Sequence, residues 1–270
     1  LYDFIFKQIE LSIREIGYGD ATVNKKMKEY VKLTIENAIG TIEFFHPKSN
    51  SLPSHILEEL ASTITATGKD NNIIVIILKS AGEKIFCAGA SFDEIVAIDN
   101  PENGKKFFSG FANVINAIRK CPKFIIGRVQ GKAVGGSVGM ASATDYCFAT
   151  KAASIKLSEL SIGIGPFVVG PAVERKIGNS AFSAMTINAT RWFDASWARE
   201  KGLYTEVFKT TKKMDIEIAK LATNLSRSNP EAMKRLKKII WKGTENWDIL
   251  LMERAEHSGK LVLSDFTRNA

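Results

Sequence analysis

The sequence lacks any apolar run long enough to cross a bilayer. Its longest, Ile73-Ile-Val-Ile-Ile-Leu78, stops at strand length, against the roughly 20 residues that a membrane helix requires. Cysteine is scarce: Cys87, Cys121 and Cys147 are odd in number, show no paired spacing and sit among apolar or small residues. That excludes a disulfide framework and suits buried thiols in a reducing, cytoplasmic compartment. The three histidines, His46, His55 and His257, are scattered, so no Cys/His constellation for zinc is present and no metal is expected. Nor does a histidine fall where it would activate Ser91, Ser137 or Ser158 as a nucleophile, and these serines read as pocket polarity. No glycine cluster has the spacing of a P-loop or of GxGxxG.

Positive charge, by contrast, is in excess: 37 Lys and Arg face 29 Asp and Glu, a formal +8. The lysines are spread along the chain without interleaved stacking aromatics, so a nucleic-acid partner is not expected. An anionic small-molecule substrate accounts for the excess equally well. Residues 1–26 read as an N-terminal extension outside the fold. Their acidic residues Asp3, Glu10, Glu15 and Asp20 do not suit a transit peptide, and no apolar h-region occurs there.

From Val31 the pattern becomes regular. Val31 to Ile35 and Thr41 to Phe45 alternate with period two, predicting a hairpin around Asn37-Ala-Ile-Gly40. Ile56, Leu57, Leu60 and Ile64 recur at helical spacing, with Ser54 placed to cap the start. A buried strand over Ile73–Leu78, a helix over Lys105–Ile118 and strands near 123–129, 146–150 and 154–157 follow. This alternation predicts an α/β core with parallel pairing. Three helical patterns, 216–225, 230–241 and 247–263, close the chain, and their Trp241, Trp247, Leu250, Leu251, Leu261 and Val262 form an apolar face. The expected division is 27–212 for the core and 213–270 for a helical module.

Two runs of small residues stand out, Cys87-Ala-Gly-Ala-Ser91 and Gly135 to Gly139, each after a strand and before a helix. Either they are tight turns and close packing, or their bare backbones bring N–H groups to one place where a carbonyl oxygen gains negative charge. Asp93, Glu94 and Asp145 read as structural acids, the first two suiting the positive end of a helix. Glu159, in Leu-Ser-Glu-Leu-Ser, reads from pattern alone as the solvated face of a short strand or turn.

The segments Phe86-Cys-Ala-Gly-Ala-Ser-Phe92, Gly131-Lys-Ala-Val-Gly-Gly-Ser137 and Leu157-Ser-Glu-Leu-Ser-Ile-Gly-Ile-Gly-Pro166, in this order and spacing, resemble the crotonase (enoyl-CoA hydratase/isomerase) superfamily. The resemblance runs from about Val31 to near the C-terminus. It implies a spiral of ββα repeats, a C-terminal α-helical trimerisation module assembling a trimer or a dimer of trimers, and an acyl-CoA thioester substrate whose coenzyme A is the only coenzyme involved. It further implies that the backbone N–H groups of Ala90 and Gly136 form an oxyanion hole and that Glu159 is the catalytic acid–base. Ala88, Gly89, Gly135 and Phe167 would line the substrate, with Lys48 and Lys84 as candidates for the coenzyme's phosphates.

The chain departs from the pattern at one acidic position. Hydratases that resemble it carry a glutamate where this chain has Gly139, while the later glutamate is kept as Glu159, and Gly165-Pro166-Phe167 replaces a glycine-rich loop. Two carboxylates assist addition of water across a 2-enoyl thioester; one suffices to move a double bond from C3 to C2. The expected activity is therefore enoyl-CoA isomerisation. The alternatives are a hydratase with an atypical second group, including a methylglutaconyl type, and a non-catalytic acyl-CoA-binding or RNA-associated homologue.

Overall fold

The computed structural model describes residues 28–269, so the expected 1–26 extension lies outside the described residues. Strands β1 (Tyr30–Glu36) and β2 (Ile39–Phe45) form the hairpin. The turn is tighter than the sequence pattern suggests: Asn37 and Ala38 both take positive φ, and Glu36 already faces Ile39. This is the two-residue geometry whose twist matches paired strands. Helix α1 (Ser54–Lys69) buries Ile56, Leu57, Leu60 and Ile64. Ser54 is its first residue, not its cap. The cap comes from across the fold, where the Glu94 carboxylate accepts from Ser54 N–H at 3.0 Å and from its hydroxyl at 2.5 Å.

Next come β3 (Val75–Ser80), β4 (Ile85–Cys87), α2 (Phe92–Val96), α3 (Pro101–Lys120), β5 (Ile125–Val129), β6 (Lys132–Val134), α4 (Gly136–Ala143), β7 (Tyr146–Thr150) and β8 (Ile155–Lys156). A 3-10 turn at Glu159–Ile162, α5 (Gly170–Ile187), α6 (Ala195–Glu200) and β9 (Glu206–Phe208) complete the core. From β3 onward successive strands alternate between two sheets. One has the order β1-β2-β3-β5-β7-β9 and the other β4-β6-β8. Apart from the first hairpin every pairing within them is parallel. The pairs β3-β4, β5-β6 and β7-β8, each followed by helix, are three turns of a ββα spiral.

The sequence dictates which faces meet. One face of the larger sheet joins the main core with α1 and α3, through Ile42, Phe44, Ile76, Leu78 and Ile125. Its other face, Val75, Ile126 and Phe148, is covered by Met214, Ile218 and Ala222 of α7 (Thr211–Ser226). Helices α8 (Pro230–Ile240), α9 (Trp247–Leu261) and α10 (Asp265–Asn269) end the chain. Where α9 meets α3, Gly104 and Gly259 let the two backbones touch: a Cβ on Gly104 would lie 2.7 Å from the Cα of Gly259.

Of the predicted C-terminal apolar face, Trp241, Trp247, Leu251 and Val262 are buried against their own chain, whereas Leu261 is exposed. An ion pair adds to this apolar contact between the helices and the core. Lys237 Nζ donates to Asp145 Oδ2 at 2.8 Å and to the carbonyls of Ile118 and Lys123, and Trp241 Nε1 donates to Asp145 Oδ1 at 2.9 Å. Lys237 and Asp145 side chains are only 3% and 5% exposed. Burial of that depth is tolerable because the three ammonium protons and both carboxylate oxygens are engaged. Asp145 is thus the structural acid expected: it follows the end of α4, just before β7, and also braces the terminal helices. Cys87, Cys121 and Cys147 are free and buried, and burial pushes the Cys87 thiol up to about 12. Among the described residues no helix is long and apolar enough to cross a membrane, and no group of His, Cys, Asp or Glu is arranged to hold a metal.

Candidate active site

The smaller sheet brings the candidate residues together. Its strands are neighbours in the order β4-β6-β8, and from their carboxyl ends run, in turn, the segment containing Ala90, the turn at Gly135-Gly136 and the 3-10 turn that opens with Glu159. In open parallel sheets, ligands sit outside such strand ends.

In the first segment the amides of Ala88, Gly89 and Ser91 are engaged by Ser49 O, Cys87 Sγ and Leu52 O. That of Ala90 donates to no backbone carbonyl among the described residues. In the second, Gly135 N–H donates to Lys156 O at 2.9 Å, while Gly136 opens α4, where an N–H has no partner within its own helix. The two segments touch. A Cβ on Gly89 would lie 2.9 Å from Val134 O and 3.9 Å from Gly136 N. Gly89 and Gly135 have φ of +94° and +56°, a region closed to most side chains. Ala88, Ala90 and Gly136 remain half-exposed beside buried Gly89 and Gly135, as the floor of an open site requires.

Glu159 faces the same place. A Cβ on Gly135 would stand 3.2 Å from Glu159 Oε1 and 3.8 Å from Oε2. The residue as a whole is half-buried, yet Oε2 is buried and has no hydrogen-bond partner. Burial raises its carboxyl from 4.5 to about 7, opposed only by its own backbone N–H. Glu159 is therefore not the solvated residue its pattern alone suggests.

Apolar side chains crowd the glycines of α4. Gly139 lies one helical turn below Gly135 and Gly136, on the same face of α4. A Cβ there would be 2.6 Å from Cβ and Cγ1 of Val169 and 3.2 Å from Ile115 Cδ1. Phe111 packs equally tightly against Gly136. Phe167, half-buried, meets the His257 ring of α9 edge-on at 6.1 Å. Lys48 is exposed and ion-paired with Asp93 at the start of α2. Lys84 is exposed just before β4, its carbonyl accepting from Lys132 N–H at 3.3 Å. Glu94 serves α1 rather than its own helix.

The sequence reading missed two features. Ser137 is not pocket polarity: it is fully buried and hydrogen-bonded to Cys87 in the first small-residue segment and to Val134 just before its own. Val169, thirty residues beyond Gly139, gave no signal beyond an apolar position in a short run.

The family model described as enoyl-CoA hydratase/isomerase matches residues 34–258. The chain belongs to the enoyl-CoA hydratase/isomerase family. It is 31% identical over 200 residues to a methylglutaconyl-CoA hydratase, mitochondrial, of Mus musculus, an alignment spanning 73% of this chain and 63% of that protein, less than two thirds of its length. To a short-chain-enoyl-CoA hydratase of Clostridium acetobutylicum it is 26% identical over 242 residues, 89% of this chain and 92% of the other. Among solved structures, an enoyl-CoA hydratase from Bacillus halodurans superimposes with a TM-score of 0.82 at 20% identity, covering 89% of this chain and 98% of that one. That likeness supports the fold. As a member of the enoyl-CoA hydratase/isomerase family, the chain is an enzyme of the crotonase superfamily.

Proposed function

We propose that this enzyme moves the double bond of a 3-enoyl-CoA thioester to C2, with Glu159 as its one acid–base group. The thioester oxygen lies between the N–H groups of Ala90 and Gly136. Glu159 takes a proton from C2, and the electron pair spreads over the dienolate onto that oxygen. The same carboxyl returns a proton at C4, leaving the conjugated 2-enoyl thioester. A carboxyl near 7 is well suited to accept and give back a proton at neutral pH, and amide donors already in position stabilise charge as it develops. Both steps are proton transfers, so the scheme calls for no coenzyme beyond the one the substrate carries.

What carries this reading over hydration is the filling of the space at Gly139 by Val169 and Ile115. Asp93 and Glu94, the acids nearest Ala90 in sequence, are held by Lys48 and Ser54. The hydratase names of the relatives favour a second reading, hydration of a short 2-enoyl thioester with water activated by Glu159 alone. We also propose that 27–212 hold the acyl-CoA site, with Ala88, Gly89, Gly135 and Phe167 against the thioester and Lys48 and Lys84 towards the phosphates. In this scheme 213–270 assemble trimers or paired trimers through exposed apolar side chains such as Leu236, Ile239, Ile249 and Phe266. A panel of 2-enoyl and 3-enoyl thioesters decides between the readings. Appearance of the conjugated chromophore from 3-enoyl-CoA supports isomerisation, and rapid loss of it from crotonyl-CoA without any isomerase turnover overturns it.

A further inference from the structure

We infer that Ser137 is a positioning residue that sets the spacing of the two amide donors, an inference that rests on the oxyanion-hole reading above. Its hydroxyl oxygen accepts from Val134 N–H at 2.8 Å and lies 2.8 Å from Cys87 O and 2.9 Å from Val134 O. Cys87 is three residues before Ala90, and Val134 is two before Gly136. A serine hydroxyl has one proton and two lone pairs. With its proton on Cys87 O and a lone pair on Val134 N–H, it joins the two segments directly.

The join falls where the sheet stops supplying one. Strands β4 and β6 pair at Ile85 with Lys132 and at Cys87 with Ala133, with a register shift between these two pairings. Beyond Cys87 the backbone curls away: Gly89 N–H turns to Cys87 Sγ at 3.3 Å, and Ser91 N–H to Leu52 O at 3.1 Å. No pairing of the two strands continues to Ala90 and Gly136 among the described residues. The Ser137 hydroxyl takes over from the ladder at that point. It is wholly inaccessible, so bulk water does not compete with it for these partners. Its side chain does not touch the thioester; it acts through the main chain on either side.

The test uses the full chain with saturated butyryl-CoA, carrying carbon-13 at the thioester carbonyl, as a bound and unreactive probe for infrared difference spectroscopy. In the native enzyme two aligned donors lower the carbonyl stretch relative to free butyryl-CoA. Ser137→Ala and Ser137→Cys, the second keeping volume but offering only a weak donor, are each expected to lose a large part of that lowering. With 3-enoyl-CoA, kcat should fall roughly 10- to 100-fold, less than or near the low end of the 10²–10³ seen when one donor is deleted, while KM changes little. Variants that keep the native carbonyl position and native kcat, whatever their melting temperature, overturn the inference alone. A native enzyme that leaves the carbonyl stretch where it is in free butyryl-CoA overturns the oxyanion-hole reading and this inference with it.

Discussion

A buried carboxyl held near neutrality is costly to keep folded, and the cost can be measured with Glu159→Gln. In the unfolded chain this carboxyl ionises around 4.5, whereas in the fold it keeps its proton to about 7. Between those values the folded state binds more protons, so stability is complete below about 4.5 and declines as pH rises through 7. A gap of about 2.5 in pKa, at 1.36 kcal/mol each, amounts to roughly 3 kcal/mol lost by about pH 8. Glutamine has nearly the same shape and nothing to ionise. Any cost of burying its amide is the same at every pH, so the diagnostic quantity is the change in the difference between the proteins. Relative to its value at about pH 4, the difference should move in favour of Glu159→Gln by roughly 3 kcal/mol at about pH 8, or about 6–12 °C in melting temperature for a chain of this size. Urea titrations of the ligand-free enzymes across that range give the numbers, with activity on 3-enoyl-CoA expected to fall by about 10²–10⁴. A stability difference that is flat with pH, or unchanged isomerase turnover, would refute the assignment of Glu159 as a buried base.

Two further outcomes are expected. Gly139→Glu alone should unfold readily or remain inactive in hydration, because its Cβ meets Val169 at 2.6 Å. Paired with Val169→Gly it should raise crotonyl-CoA hydration at least about tenfold over the native rate, the low side of what a placed acid–base group contributes; no gain in the folded double variant would show that position 139 does not face the reacting carbons. Lys237→Met should lower unfolding free energy by roughly 3–5 kcal/mol, as removal of one partner of a buried ion pair does, and adding Asp145→Asn should recover part of it. A loss below about 1 kcal/mol in chemical denaturation would show that Asp145 is satisfied without the lysine.

The parts of this molecule that were legible in the sequence are those governed by neighbours along the chain. Period-two alternation at 31–45, the apolar run at 73–78 and the amphipathic 56–64 each became an element of the type suggested, the second as a strand shifted two residues on, to Val75–Ser80, because local pattern and burial agree there. The glycines of the site were also legible, since Gly89 and Gly135 need backbone conformations that other residues resist. Glu159 was legible only through its motif. Its raised pKa comes from the protein packed around it, and the pattern Leu-Ser-Glu-Leu-Ser carries no record of that. Contacts between distant residues escaped altogether: Glu94 capping α1, Val169 filling the space at Gly139, and one serine hydroxyl reaching Cys87 fifty residues away. Each is a choice among chemically similar candidates that only the closed fold makes.

The anchoring of Asp145 has a mechanical consequence. Helix α4 is eight residues long, a rod of about 12 Å. One end carries Gly136; just past the other, Asp145 is gripped by Lys237 and Trp241. A tilt of the terminal helices would therefore pull on the rod that begins at Gly136, so the position of that amide depends partly on a contact made at the rod's far end.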